Sequence, residues 1–441
     1  MIRSELTDRI GNRVRWDWFA TILVSLAFAL DWLPAYVTGL PSSMVSLTRW
    51  VAVPLILLSM VIEPDAYLSV LAKPQVIVLG FAAVVGIGGG VAAGMVPQST
   101  LVSFMPSLLA IVFYARRRDA TRLRGVLVSL LVGAWLLCGI VVLAGLGLAR
   151  TGLAVVGSGI GGATYERMWA GVSSSLLGPW LAVLLGSLGG LALRPQDRRM
   201  AVLVAASVCV GAFVAAVTAQ RSVLVIAVLG PVMGAVSTLV ISRGQRIGAR
   251  TPRHLSRNVV LVAVSVALFL MVLWPAINER SATLRYRIAA METTSDSYGG
   301  ALRLEMWKYL AHDLANRPQL VAPGDVGMFA ALSVGPHFIV GESYYYGGFL
   351  MLVAMLVLMA SSVRSVFRAA RWPASSEWVI VAGVIVSVLV PTLVYLTVMP
   401  GFISRLPYVL MGIALALPSA PASARLGTHD RVPTTCIPDS H

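Results

Sequence analysis

Apolar residues follow one another in long blocks along this chain, with short polar segments between the blocks. A block of about 20 apolar residues crosses a bilayer as an α-helix, because each residue adds about 1.5 Å and the hydrocarbon core is about 30 Å thick. Strands of a transmembrane barrel would instead alternate apolar and polar positions in segments of about ten residues. The pattern therefore predicts an all-α, polytopic transmembrane bundle of about twelve spans, at residues 17–37, 44–62, 75–95, 98–115, 125–147, 173–193, 199–218, 222–241, 258–276, 344–363, 376–397 and 402–420.

The overall composition agrees with this pattern. Of the 441 residues, 58% are hydrophobic and 12% are charged, and the mean hydropathy is +0.83. Soluble domains are nearer half apolar and a quarter charged, so a soluble enzyme, a coiled coil and a disordered chain are excluded. The 3 cysteines do not suggest a disulfide framework, since Cys138 and Cys209 fall inside predicted spans.

Basic residues are in excess, with 34 Lys and Arg against 19 Asp and Glu. In a soluble domain this would suggest nucleic acid, but in a membrane protein basic residues collect on the cytoplasmic side. We therefore expect a multi-pass protein of the cytoplasmic (inner) membrane, with both termini in the cytoplasm and no nucleic-acid partner. The predicted regions are a cytoplasmic N-terminal segment (1–16), spans one to nine (17–276), a long outer loop (277–343), spans ten to twelve (344–420) and a disordered cytoplasmic tail (421–441).

The long outer loop contains a predicted amphipathic helix at residues 301–316. Such a helix either lies on the outer leaflet or caps a cavity. Its apolar face comprises Leu302, Met306, Trp307, Leu310 and Leu314, and its polar face carries Glu305, Lys308 and His312.

Three ionisable residues inside the predicted spans stand out because each lies in the outer third of its span: Asp31, Arg49 and Arg405. Charges at such depth are candidates for function. The alternative is that Asp31 and Arg49 only neutralise each other, or that the arginines extend to the interface. Because Arg221 in a short outer loop is predicted at the same level, we expect an anionic ligand that approaches from the outer leaflet.

The order of four short motifs resembles the O-antigen ligase/polymerase family of membrane glycosyltransferases. In this family an Arg opens a span after a short outer loop, an Arg precedes a Trp by four residues on the loop helix, a Pro is followed by a Gly-x-Gly-like turn, and a His precedes a Glu/Gly-containing helix entry. The matching residues here are Ala219-Gln220-Arg221-Ser222, Arg303 with Trp307, Pro318 with Gly324-Asp325-Val326-Gly327, and His337 with Gly341-Glu342 and Tyr346-Gly347-Gly348. Phe338 stands where the family usually has Asn, and the Ser and Gly that flank its first Arg are replaced.

The resemblance implies transfer of a glycan from a polyprenyl-diphosphate carrier to a glycan or glycolipid acceptor. The reaction would take place on the outer face of the cytoplasmic membrane, without a metal or other cofactor. Arg221 and Arg303 would stabilise the leaving diphosphate, because the guanidinium fork binds phosphate oxygens in pairs. His337 would act as general base on the acceptor hydroxyl, with Glu342 as the second candidate. The further substrate-binding candidates are Arg285, Arg287, Arg405, Arg49 and Trp307.

Other functions remain open from the sequence. A secondary transporter or a lipid-linked glycan flippase is the main alternative, followed by a polyprenyl-phosphate glycosyltransferase that uses an outer-loop carboxylate, and by a structural subunit of an export complex. The glycine-rich run Gly86-Ile87-Gly88-Gly89-Gly90 lies inside a predicted span, where it indicates close packing and not a phosphate-binding loop.

Overall fold

The part of the chain that the structure describes is built almost entirely of α-helices. This structure is a computed structural model. It describes residues 16, 18–30, 47–116, 120–145, 158–160, 163–165, 174–186, 198–218, 300–316, 318–323, 338–371, 376–397 and 404–417, together with isolated positions between 226 and 278.

Thirteen α-helices, one π-helix and two short strands follow each other along the described ranges. The helices are α1 (Trp18–Ala29), α2 (Leu47–Ile62), α3 (Pro64–Leu71), α4 (Pro74–Ala82), the π-helix (Ala83–Ile87), α5 (Gly88–Ala92), α6 (Gln98–Ala115), α7 (Ala120–Gly145), α8 (Ser174–Gly186), α9 (Arg198–Thr218), α10 (Gly300–Asn316), α11 (Ile339–Arg371), α12 (Ser376–Leu396) and α13 (Arg405–Ala416).

These helices support a multi-pass membrane protein, as predicted. Within the described residues, 4 helical stretches are long and apolar enough to cross a membrane, or 5 if the bent pair α2 and α3 forms one span. Ten of the predicted spans overlap a described helix, several of which are shorter apolar helices. The predicted eighth and ninth spans lie almost wholly outside the described residues, so the count of twelve stays a prediction.

Two local features depart from the predicted pattern of spans and loops. After α2 the chain bends by 104° and continues as α3, where a loop was predicted. Glu63 has non-helical φ and ψ, and Pro64 follows at the first helical position, where its missing N–H costs nothing. Strands β1 (Ser158–Ile160) and β2 (Ala163–Tyr165) pair antiparallel within a predicted outer loop.

Helices α6 and α13 run parallel through the centre of the bundle. Near their beginnings, the rings of Phe104 and Tyr408 meet edge to face with centroids 5.7 Å apart. Farther along, Gly412 lets α13 approach α6 closely, since a Cβ there would lie 3.1 Å from the Cα of Ile111. At their ends, the Lys73 Nζ donates hydrogen bonds to the carbonyl oxygens of Ala115 (3.4 Å) and Leu415 (3.0 Å).

The parallel pair defines two ends of the bundle, about 27 Å apart along the 18 residues of α6. We call the end with Lys73, Glu63 and Arg116 the Arg116 end, and the opposite one the Glu342 end. All three residues of the Arg116 end fall in segments that the sequence predicts to be cytoplasmic. The three residues therefore lie on one side of the bundle, as the predicted topology requires.

A partly buried ion pair holds α2, α3 and α6 together at the Arg116 end. The Arg116 guanidinium donates to the Glu63 carboxylate and, at 2.7 Å, to the Ser59 hydroxyl. The same guanidinium lies over the rings of Tyr67 (4.3 Å) and Phe113 (5.1 Å). The Arg116 side chain is only 1% exposed, so its charge depends on these partners.

Replacing Arg116 by Met is therefore expected to lower the free energy of unfolding by about 3 kcal/mol, since it leaves the Glu63 carboxylate without its cation. The measurement is unfolding of the purified protein in mixed detergent micelles. The matched control is the double variant Glu63→Gln/Arg116→Met, which removes both charges and should recover much of the loss. Equal destabilisation of the single and double variants would contradict a stabilising role for the pair.

A cysteine at position 295 is expected to react with a membrane-impermeant maleimide from outside the cell. The residue is Ser295 in the predicted outer loop, and Ser69 in α3 is its matched control at the Arg116 end. In a background without native cysteines, Ser69→Cys should react only after permeabilisation. Labelling of position 295 from the cytoplasm alone would overturn the predicted topology.

Candidate functional site

The predicted loop helix is present as α10 and packs on the bundle. Its bounds, Gly300–Asn316, agree with the predicted 301–316. Met306 and Leu310 are fully buried in the core, and Glu305 and Lys308 form an exposed ion pair of 2.8 Å. The predicted apolar face is therefore confirmed for Met306 and Leu310, whereas Trp307, predicted on the same face, is 38% exposed and packs through one face of its ring.

Trp307 fixes α10 to the beginning of α11. Its ring stacks on Phe338 with centroids 4.2 Å apart and planes inclined by 19°. Phe338 is 1% exposed and lies over Gly341, where a Cβ would come within 2.6 Å of the Phe ring. Phe338, which stands where the resembled family usually has Asn, therefore provides the ring on which Trp307 of the loop helix packs.

Glu342 lies in the first turn of α11, not in the loop before the helix as predicted. Its N–H donates to the carbonyl oxygen of Phe338 (2.9 Å), and its side chain is buried. The carboxyl group is close enough to Tyr408 of α13 for the two groups to interact electrostatically. The tenth span was predicted to begin at residue 344, but the helix begins at Ile339. The apolar residues Ile339 and Val340 extend it at the N-terminal end.

Arg405 lies in the first turn of α13, one turn before Tyr408, and is only 6% exposed. Protein atoms cover the side chain, which argues against an arginine that extends to the interface. Since α13 packs against α11, Arg405 and Glu342 are two buried ionisable residues on adjacent helices at the same end of the bundle.

An extended segment follows α10 and inserts between α11 and the π-helix; we call residues 318–323 the strap. The carbonyl oxygens of Gln319 and Leu320 accept hydrogen bonds from the N–H groups of Phe349 (2.8 Å) and Leu350 (3.5 Å). On its other side, the Ala322 N–H donates to the carbonyl oxygen of Gly86 (3.2 Å). The strap therefore supplies partners to backbone groups at two interrupted helices.

Glycines make room for this insertion. Gly348 has a φ of +66°, which interrupts α11 and redirects the next N–H groups toward the strap. A Cβ on Gly90 would lie 2.4 Å from the Cβ of Ala322. A Cβ on Gly86 would lie 2.3 Å from the carbonyl oxygen of Gly347. The glycine-rich run is thus a site of close packing, as predicted, but against the strap as well as against a helix.

Of the predicted site residues, the structure brings Trp307, Glu342 and Arg405 to the Glu342 end. The backbone of Arg303 lies in α10, one turn before Trp307, and that of Arg49 lies in the first turn of α2, away from the Arg116 end. The side chains of Arg49 and Arg303 are outside the described part. So are His337, Arg221, Arg285, Arg287 and Asp31, so their predicted convergence and the pairing of Asp31 stay predictions.

Sequence reasoning did not identify Tyr408, the strap or the structural role of Phe338. The paired glycines Gly347 and Gly348 were the available signal for the strap, since adjacent glycines inside a helix often mark a break or a close backbone approach.

Within the described residues, no three His, Cys, Asp or Glu side chains group in a way that would hold a metal ion. No protein-family model matches the chain, and a search of curated proteins finds no match.

Proposed function

We propose that this protein is an integral membrane glycosyltransferase that moves an oligo- or polysaccharide from a polyprenyl-diphosphate carrier to a glycan or glycolipid acceptor. The observation that carries the proposal is the docking of α10, which bears Arg303, through Trp307 and Phe338 beside buried Glu342 and Arg405. An amphipathic helix with no role beyond lying on a membrane surface would not need to bury Met306 and Leu310 in the core or to stack Trp307 on the buried ring of Phe338.

The cationic residues suit the leaving group of this reaction. As the bond between the anomeric carbon and the diphosphate oxygen breaks, its electron pair moves to that oxygen. Arg303, Arg221 and Arg405 would stabilise this charge, with Arg49, Arg285 and Arg287 as further contacts to the carrier. Donors placed where charge develops in the transition state supply a large part of the catalysis available without a metal.

The acceptor hydroxyl loses its proton as its oxygen bonds to the anomeric carbon. His337 is the first candidate to take that proton and immediately precedes Phe338 in the sequence. Glu342 is the second candidate, since it lies in the first turn of α11 at the same end of the bundle. A single displacement of this kind would invert the anomeric centre.

The direct test reconstitutes the purified full-length chain in nanodiscs with a polyprenyl-diphosphate-linked glycan and a glycan or glycolipid acceptor. We expect a longer acceptor glycan and released polyprenyl diphosphate in the presence of EDTA and without a nucleotide sugar. Failure to extend the acceptor with donor and acceptor from the native membrane would contradict the proposal. A deletion strain then separates two subtypes, since loss of a polymerase leaves single repeats and loss of a ligase leaves long lipid-linked chains.

The alternative, a secondary transporter or lipid-linked glycan flippase, has one observation in its favour. Both the α4–π-helix–α5 stretch and α11 are interrupted where the strap enters, and transporters build their binding sites from interrupted helices. Proteoliposomes distinguish the two functions. A flippase would move the intact donor across the bilayer without changing its glycan, and it would tolerate loss of His337.

A further inference from the structure

A cavity of about 310 Å³ opens at the Glu342 end, between the beginning of α6 and the part of α11 that precedes Gly348. Ser99 is exposed at this cavity, Ser103 is half-buried and Thr100 is buried, so the cavity reaches from the surface into the bundle. Its lining residues with a hydroxyl group are Ser99, Thr100, Ser103, Tyr345 and Tyr346, and its apolar lining residues are Met95, Val96 and Pro97.

The chemistry of the walls selects an uncharged ligand with many hydroxyl groups. Ser99, Thr100, Ser103 and the two tyrosines each present a hydroxyl, which both donates and accepts hydrogen bonds. Among the described residues that line the cavity, none carries a formal charge. The described lining residues therefore offer no cation to a phosphate or diphosphate, whereas their hydroxyl groups suit a sugar ring.

The tyrosine rings add an apolar surface of the shape that a sugar requires. Tyr345 and Tyr346 meet edge to face, with centroids 5.0 Å apart and planes at 84°. The C–H face of a pyranose can pack against one ring while its hydroxyls reach the serines and the threonine. The volume is at the lower end of that of small-molecule sites, which fits a mono- or disaccharide unit.

The cavity is also close to the candidate chemistry. Tyr345 and Tyr346 follow Glu342 by three and four positions in the same helix, so both lie about one turn from it on roughly the same side of the helix. Glu342 does not itself line the cavity, but a sugar held by the tyrosines would lie at the same end of the bundle as Glu342, within about one helical turn of it along α11.

From this geometry we infer that the cavity is a binding site for a neutral sugar unit of one of the two glycans in the reaction. The inference rests on the proposed function, because that function supplies the glycan. It adds a site that separates sugar recognition at Tyr345 and Tyr346 from diphosphate recognition by the arginines.

The binding test presents the full-length protein in nanodiscs to immobilised oligosaccharides, one set neutral and one set phosphorylated. We expect retention by neutral oligosaccharides. Removal of a cavity hydroxyl, in Ser103→Ala or Tyr346→Phe, should weaken retention by about three- to tenfold. The matched controls are Ser69→Ala at the Arg116 end and Tyr309→Phe on α10, which should bind as the parent does. Unfolding temperatures show whether each variant remains folded.

Two results would overturn the inference: no retention by any neutral oligosaccharide, or retention that the cavity variants leave unchanged. Kinetics in the transfer assay identify the source of the sugar. A raised KM for the acceptor assigns the site to the acceptor glycan, and a raised KM for the donor assigns it to the donor glycan. Neutral-sugar binding that depends on the cavity in a protein without transfer activity would refute the proposed function alone. Transfer with KM values that the cavity variants do not change would refute the inference alone.

Discussion

Gly348→Ala is expected to lower the free energy of unfolding by about 3–4 kcal/mol and to release the strap from the bundle. The new Cβ would lie 2.3 Å from the carbonyl oxygen of Val321, which belongs to the strap backbone. The φ of +66° adds the cost that any L side chain pays in this region. Unfolding in mixed detergent micelles measures the first effect, and proteolysis between α10 and α11 measures the second.

Gly94→Ala is the matched control for this prediction. Gly94 also has a positive φ, +72°, but a Cβ there would meet nothing within 4 Å. We expect it to cost only the conformational penalty of about 1 kcal/mol and to leave the strap in place. If both variants lose the same stability, the contact between Gly348 and the strap contributes nothing and the strap is not held by this interruption.

The features that the sequence predicted well are those set by local periodicity. The loop helix was predicted within one residue of its start, because Met306 and Leu310 lie four positions apart on one face while Lys308 and His312 lie on the other. Most described helices coincide with apolar blocks for the same reason. Bilayer thickness fixes their length, and the period of the helix fixes which face packs inward.

The features that it missed depend on contacts between distant parts of the chain. The strap is held by backbone hydrogen bonds to Gly86, Phe349 and Leu350, and no periodicity records such pairing. The polar residues Glu342 and Ser343 look like the end of a loop, but Ser343 donates to the carbonyl oxygen of Ile339 (2.7 Å) inside the helix. A polar side chain that bonds its own helix can be buried at little cost, so polarity alone placed this boundary too late.

His337→Ala is expected to reduce the rate of glycan transfer by about 10²–10⁴-fold, the contribution typical of a general base. Binding of the polyprenyl-diphosphate donor should be unchanged, because the base acts on the acceptor hydroxyl. The matched control is His312→Ala, since His312 lies on the exposed face of α10 with a side chain 60% exposed. The measurement is single-turnover transfer in nanodiscs, with donor binding followed separately.

Glu342→Gln decides between the two candidate bases, because it keeps the size of the side chain and removes its charge. If His337 is the base, Glu342→Gln should retain most of the transfer rate. Any loss of rate should then be matched by a loss of folding stability, because Glu342 interacts with Tyr408. If Glu342→Gln abolishes transfer while His337→Ala leaves it intact, the catalytic group is a carboxylate. The protein would then resemble polyprenyl-phosphate glycosyltransferases whose catalytic group is a carboxylate. The match of His337 to the O-antigen ligase/polymerase motif would then say nothing about the mechanism. Loss of rate in both variants, with donor binding preserved, would instead indicate that Glu342 orients the base, since the backbone of Glu342 lies one helical turn after Phe338, the residue that follows His337 in the sequence.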